Sequence, residues 1–548
     1  MIGCVMPLLL LGASTTPLTI RPGDDLGTIR RVDGDADVVS PTPVPFEGVP
    51  PKAPTGGPYP EGVKIDTSER VERGGKGKDA ILFGPTGAYA YTIAYSADAE
   101  ESGVEHRVGV ATGEINLPAI SELRATLDDM ASDLRPAFEE AMAHVDHIMW
   151  ASAFHGEKRQ KYIDAYDDWV SGRSTWDQPN NSFMKREVLE SEDVMDGIKE
   201  PVPRIIQGQD PQFNVLVGPY FKALAEAMHK PMFGRLYSAC GMDAVEMGRA
   251  YEDLLDQGTV YGSDATKWDA HVVKELSEEM HTFYRKLGFP AWVVKMLRKR
   301  LEVHGYTAAN IEFWITRGTR ESGTPETSVG NTALNLAIAE TWFRRSHEKG
   351  KALAMGDDII FSTRLGDEHA HTIVGTYADF GFTAKFTLND VFCSTIWVRF
   401  NVDGKCQHVA TTDGRRLISK FGLASGAAMT YVQDAKRALV YMKEKIQSTP
   451  LIFHDPVFGD WARSVYHYSD QIVPTALRVK SWASTASRKA FDKYDIRATY
   501  ETMADYAAAY GCSWFDMGCR NVAVTSVGPE PRFLASRVWS WLSPWMRE

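Results

Sequence analysis

Two stretches of this 548-residue chain place acids where an apolar segment would be expected to continue. In "KALAMGDDIIF", Lys351 to Phe361, Asp357 and Asp358 interrupt a run that is apolar on both sides. In "VYGSDATKWDAHV", Asp264 follows an apolar strand end, and Asp269 comes five residues later at the start of a helix. Carboxylates from separate segments are what a two-metal phosphoryl-transfer site needs, with its cations about 3.5–4 Å apart. Magnesium suits such a set because it takes oxygen ligands and bridges to substrate phosphates. Taken alone, Gly-Asp-Asp reads more readily as the solvated tip of a hairpin, since both residue types are common in turns.

The elements that must position these acids follow from pattern. Ala352 to Met355 and Ile359 to Phe361 read as two buried strands, joined by a tight turn at Gly356. Between the two acid-bearing stretches lies "RESGTPETSVGNTALNLA", a glycine-containing loop that runs into a helix. Its Ser322, Thr327 and Asn331 are small hydrogen-bonding residues, and Thr327 and Asn331 fall one turn apart on one helical face. Such a face suits a sugar hydroxyl; an N-capping loop before a core helix is the other reading.

Helical periodicity appears from Ser121, a candidate cap, with Pro136 expected to break or kink the helix. Further helices are expected at Lys274 to Leu287, Ser328 to Arg345 and Tyr431 to Ile446, with an Ala-rich one around Ile496 to Tyr510. Residues 41–62 hold too much Pro and Gly for regular structure and read as an extended connector. "AILFGPTGAYAYTIAYS" reads as strands around a Gly-Pro-Thr-Gly turn. No Lys-Ser/Thr pair follows at the spacing of a phosphate loop.

A net charge of −12 argues against a surface that binds nucleic acid everywhere, and leaves room for a local basic channel. Six scattered cysteines suggest a reducing compartment without a disulfide framework, and Cys512 and Cys519 lack the histidine pair of a zinc site. The apolar "MIGCVMPLLLLGAS" lacks a basic leader and is too short to span a bilayer, so no integral membrane segment is expected.

Taken in order, these stretches resemble the motifs of positive-strand RNA virus RNA-dependent RNA polymerases of the tombusvirus-like kind. "DATKWD" corresponds to motif A, "SGTPETSVGNT" to motif B and "GDD" to motif C. "FMKREV" followed by "KEPVPRIIQGQDPQFNVLVGPYF" is similar to motif F, "YADFGFTAKFTLND" to motif D and "VFCSTIWVRF" to motif E, where Cys393 and Ser394 carry the match. Departures are Gly208, Gln209 and Asp210 where motif F is usually more basic, and Thr324 where these viruses usually place Asp.

The resemblance implies an α+β right-hand polymerase with an antiparallel palm sheet and mainly helical fingers and thumb. Residues 1–115 would be an N-terminal extension with fingertip strands, 116–255 fingers, 256–400 palm with a fingers insertion at about 280–318, and 401–548 thumb and C-terminal region. It implies that Asp264, Asp357 and Asp358 hold two Mg2+ ions, with Mn2+ as a substitute, and that Lys385 protonates the leaving pyrophosphate. The nucleotide would be held by Arg204 with Lys185, Arg186 and Lys199 nearby, and by Asp269, Ser322, Gly323, Thr327 and Asn331. Implied partners are an RNA template, nascent RNA, ribonucleoside triphosphates and viral or host replication proteins. The implied setting is the host cytoplasm, peripheral to membrane-associated replication sites. A reverse transcriptase-like palm and a non-catalytic RNA-binding scaffold are the rival readings.

Overall fold

Apolar residues spaced by three and four build the long helices. In the computed structural model, which describes residues 44–518 other than 47, 73–78, 82–89, 174–175, 177, 389–390, 422, 425–440, 442, 473–481 and 514–515, helix Leu117–Met142 turns Leu123, Leu127, Met130, Leu134 and Phe138 inward. It begins before Ser121, with Pro118 in its first turn, where a fixed φ favours helix entry. Pro136 neither ends nor breaks it. The proline forfeits one backbone bond, and Leu134 and Phe138, both anchored in the core, carry the helix through.

Helix Lys274–Leu287 matches its expected bounds and stops at Gly288, whose φ of 111° suits a residue without a Cβ. Helix Glu326–Ser346 is buried from Val329 to Phe343. The core around it also takes in helix Pro211–Ala227. The Ala-rich helix is shorter than expected: Ile496–Arg497 is a strand, and the helix runs Tyr500–Ala509 from a Thr499 cap. Most of the helix expected at Tyr431 to Ile446, the N-terminal apolar stretch and Cys519 lie outside the described residues.

Of two mixed five-stranded sheets among the described residues, the central one packs on this helical core and the other has a smaller core of its own. The central one has the order Ala384–Thr387, Thr259–Ala265, Asp358–Thr363, Ala352–Met355, Leu236–Ser238, antiparallel except for the last pair. The other orders Val63–Asp66, Glu312–Ile315, Val303–Thr307, Asn180–Met184 and Ile205–Gly208. A hairpin, Thr395–Val402 with Lys405–Thr412, covers a second core with helix Ala244–Leu255. The chain is thus mixed α and β, rich in antiparallel pairing. The connector is not wholly irregular, because Val44–Phe46 pairs with Asp79–Ile81. Strands Asp79–Ile81 and Ala90–Tyr91 do not form a hairpin around the Gly-Pro-Thr-Gly turn: the first also pairs with Leu423–Ala424, and the second pairs with Leu189–Glu190. No described helix is long and apolar enough to cross a membrane.

Candidate active site

The antiparallel register of the central sheet sets Asp264 opposite Asp358 on one side and opposite Lys385 on the other. Directly paired residues project to the same face, with Cβ atoms about 4.5–5.5 Å apart. One row across three strands therefore carries acid, acid and base. Met355 pairs with Asp358, which leaves Gly356 and Asp357 as a two-residue turn. Gly356, at φ 65°, occupies the first position, as a type II′ turn requires.

The buried helix below holds that turn. Gly356 N–H donates to Thr332 Oγ1 at 2.7 Å, while Asn335 Nδ2 donates to the carbonyls of Gly356 and Asp357 at 3.1 and 3.0 Å. Tyr377 hydroxyl in turn donates to Asn335 Oδ1. Thr332 and Asn335 were missed from sequence; two polar residues inside "GNTALNLA", three apart on one helix, were the available signal.

Burial pushes the Asp358 carboxyl up to about 6, helped by the charges of Asp357 and Asp264. Asp357 is also raised, by burial and then by Asp264. Such crowding of like charge favours a hard cation between the carboxylates. Among the described residues no three Asp, Glu, His or Cys side chains gather closely enough to hold a metal unaided. Cys393 lies beside Asp358 at a turn where it and Ser394 have φ of 51° and 63°.

Asp269 is held by the same helix, close enough to Asp357 to feel its charge. Its carboxyl accepts from Asn331 Nδ2 at 2.7 Å, and its backbone carbonyl accepts from Arg320 N–H at 3.0 Å. Burial raises it to about 6, the charge of Asp357 adds to this, and Asn331, Arg320 and Arg204 oppose it. With its amide nitrogen committed to Asp269, Asn331 keeps Oδ1 buried and without a partner among the described residues. That oxygen can accept from a hydroxyl.

The loop before the helix is fixed against strand Ile205–Gly208. Ser322 Oγ donates to Ile205 carbonyl at 3.1 Å and accepts from Gln207 N–H at 3.2 Å. A Cβ on Gly323 would lie 2.1 Å from Gln207 carbonyl oxygen, so only glycine fits this approach. Thr327 hydroxyl donates to Glu321 carbonyl at 2.6 Å and lies 2.9 Å from that of Thr324. Thr327 thus braces the loop, while Asn331 faces Asp269.

Arg204 and Lys185 share Glu187, at 3.4 and 2.9 Å, and the charge of Arg204 is felt at both Asp357 and Asp269. The structure does not bring Lys199 to this group: it is exposed and paired with Asp193. Arg186 lies over the Tyr95 ring, 4.5 Å from its centroid. Lys385 is exposed on its strand.

The chain is 29% identical over 271 residues to the RNA-directed RNA polymerase of Cymbidium ringspot virus, covering 45% of this chain and 32% of that protein. Identity and coverage are the same for the RNA-directed RNA polymerase of tomato bushy stunt virus (strain Cherry). That of groundnut rosette virus (strain MC1) is 28% identical over 267 residues, covering 45% of this chain and 31% of that protein. The matched region spans about a third of the length of these curated relatives. The family model for viral RNA-dependent RNA polymerase matches residues 93–448, more than half of the chain and the whole of the site just built, and so the chain belongs to the tombusvirus-like viral RNA-dependent RNA polymerases.

Proposed function

We propose that the chain copies an RNA template by attack of an RNA 3′-hydroxyl on the α-phosphate of a ribonucleoside triphosphate. The observation that carries this reading is the pairing of Asp264 with Asp358 beside the Asp357 turn, across from an Asp269–Asn331 pair with a spare buried acceptor. Asp264, Asp357 and Asp358 are the residues to hold two Mg2+ ions, or Mn2+ in their place. Bound there, the ions would stabilise charge on the reacting oxygens and favour the ionised 3′-hydroxyl.

The side chains then bind and orient. Arg204 takes the triphosphate with Lys185 nearby, guanidinium and phosphate being matched for two parallel hydrogen bonds. Asn331 Oδ1 accepts from the ribose 2′-hydroxyl, with Asp269 fixing the amide. A reverse transcriptase would use a bulky gate at this place instead of an acceptor. Lys385, in register with Asp264, is the proton donor to the leaving pyrophosphate. Positioning and electrostatics do most of the work in such a reaction, which fits a site with few reactive side chains.

In this reading the central sheet is the palm of a right hand, four of its strands lying within residues 256–400 and the fifth, Leu236–Ser238, coming from the segment before. Fingers then precede it from 116 and insert at about 280–318, with a thumb after 401. The role is genome replication and transcription in the host cytoplasm, with viral or host replication proteins supplying any membrane attachment. The test is Mg2+-dependent incorporation of labelled ribonucleotides by the purified chain on homopolymeric and structured templates, with and without primer. Templated product lost in Asp264→Ala supports the reading. RNA binding without incorporation would assign a non-catalytic scaffold.

A further inference from the structure

Four aromatic rings drawn from three helices follow one another toward the surface: His147, Tyr166, Trp169 and Trp292. Neighbouring centroids are 5.1, 6.3 and 6.4 Å apart and the planes differ by 18°, 29° and 24°, so each ring is close to parallel with the next. The helices are His147–Ser152, Gly156–Val170 and Ala291–Lys299, and none of them carries a residue assigned above to the active site. One end of this ladder is anchored. His147 Nδ1 donates to the Val215 carbonyl at 2.8 Å, and Tyr166 packs against the main core. The other end faces water: Trp169 and Trp292 are each 39% exposed, with Trp292 braced edge-on by Tyr220 at a centroid distance of 5.6 Å.

Positive charge continues from the outer end. Helix Ala291–Lys299 holds three cations and no acid, and Trp292, Lys295 and Lys299 fall three and four residues apart on one face. Lys295 and Arg298 are exposed and pair with no acid among the described residues, and Lys299 lies over the Trp176 ring, 5.0 Å from its centroid. Of the two acids just before Trp169, Asp168 is paired with Arg173 at 2.9 Å, and Asp167 falls on the opposite side of the helix. An apolar protein or lipid surface asks for buried area and for no particular ring orientation. Near-parallel ring faces beside unpaired cations suit a chain of flat groups joined by phosphates. Stacking accepts any base, since each has a π-face, and rings already fixed by packing lose little freedom when a base arrives. Bases in a duplex are already paired and stacked, so the fit is to a single strand.

We propose that the ladder from Tyr166 through Trp169 to Trp292, with the cations of helix Ala291–Lys299, is a stacking track for single-stranded RNA, built on elements other than those of the nucleotide site. The proposal rests on the polymerase reading for the identity of the strand. Its test is the fluorescence anisotropy of a labelled, unstructured oligoribonucleotide, and of its duplex, with the full chain over a salt series and without nucleotides. The variants are Trp292→Ala, Trp169→Ala with Trp292→Ala, and Trp169→Phe with Trp292→Phe, each checked by its urea midpoint.

Single-strand affinity should fall on the order of tenfold in Trp292→Ala and on the order of a hundredfold in the double alanine variant, with most of it kept by the two phenylalanines. Duplex affinity, the slope of affinity against salt and the nucleotide KM at saturating template should not move, because no phosphate contact is lost. Unchanged single-strand affinity in a folded double alanine variant, an equal loss for the duplex, or phenylalanines no better than alanines would overturn the track. Self-association in sedimentation that the double alanine variant abolishes, with RNA affinity unaltered, would assign the face to a second copy and overturn it as well. Should the alanine variants not fold, photocross-linking of the wild-type chain to thiouridine-containing RNA decides: cross-links at Trp169 or within residues 291–299 support the track, and cross-links confined to other segments overturn it. Affinity is read without incorporation, so failure of the track leaves the polymerase reading standing, and a chain that incorporates nothing still tests the track.

Discussion

Removal of Arg320 should loosen the helix that carries Asn331. Arg320 and Glu326 are 5% and 6% exposed and form an ion pair, and Tyr284 hydroxyl adds a hydrogen bond to Glu326 at 2.8 Å. The network spans the loop between Asp269 and the helix: the N–H of Arg320 holds the Asp269 carbonyl, and its charge opposes the rise of the Asp269 carboxyl. A cavity of about 20 Å3 beside it has room for one water near Arg320 Nε and Nη2, which have no hydrogen-bond partner among the described residues. His281, which faces the same cluster, is lowered by burial to about 4 and is neutral at pH 7, so it cannot replace the guanidinium.

Arg320→Met leaves Glu326 charged and buried with only Tyr284 as a donor. Breaking one side of a buried pair costs about 3–5 kcal/mol, against a total stability of about 5–15 kcal/mol for a typical protein. Arg320→Met with Glu326→Gln removes both charges and keeps an acceptor for Tyr284, so it should recover roughly 2 kcal/mol or more of that loss. The assay is the urea midpoint at constant m-value for wild type, both single variants and the double variant. A single-variant loss below about 1 kcal/mol, or a double variant as unstable as the sum of the singles, would refute the argument that burial makes this pair obligatory. Ribose preference in Arg320→Met should fall as well, because Asp269 loses a charge that favours its ionised, Asn331-bound form.

Asp264→Ala and Asp357→Ala should each lower nucleotide incorporation on the order of a hundredfold or more with the circular dichroism spectrum unchanged; activity retained at saturating Mg2+ would remove these residues from the metal site. Asp358 bears on pH. Its folded value of about 6 lies above the ordinary 3.8, so its stabilising contribution is full below about 4 and is lost as pH rises through 6. Without metal, Asp358→Asn should therefore gain roughly 3 kcal/mol over wild type at pH 7.5 and little at pH 4, as read from melting midpoints in EDTA at each pH. Asn331→Ala should cost on the order of 1–3 kcal/mol in preference for ribo over deoxy substrates, measured by competition; an unchanged ratio would make Asn331 a packing residue. Lys295, Arg298 and Lys299 lie exposed along one face of helix Ala291–Lys299, and neutralising them should weaken template binding and flatten its salt dependence, without the rise in nucleotide KM expected for Arg204→Gln.

The acid-bearing hairpin was legible because strand, turn and strand lie within one short stretch, and local pattern specifies both the turn residue and the pairing. Helix Lys274–Leu287 was legible for the same reason, with Gly288 marking its end. What escaped was long-range. Asp79–Ile81 and Ala90–Tyr91 look like a hairpin from sequence, yet each finds its partner far along the chain. Pro136 signals a break by local rules, and buried neighbours on both sides override it. The same limit hid the second role of the motif B helix. Asn331 was visible through its motif, but Thr332 and Asn335 act on the Gly356–Asp357 turn through contacts 21 to 24 residues distant, which spacing on the helix does not reveal.

The helix Glu326–Ser346 therefore joins two decisions that the polymerase reading keeps separate. Asn331, held by Asp269, carries the acceptor proposed for the sugar, and Thr332 and Asn335 fix the turn that presents Asp357 and Asp358. Because the helix is buried over most of its length, a shift that moves one of these contacts moves the other. A nucleotide whose sugar satisfies Asn331 Oδ1 then also favours the helix position that holds the acids in register. In the proposed reaction, sugar recognition and metal geometry would be coupled through one rigid element, and an incorrect sugar would be penalised in the chemical step as well as in binding.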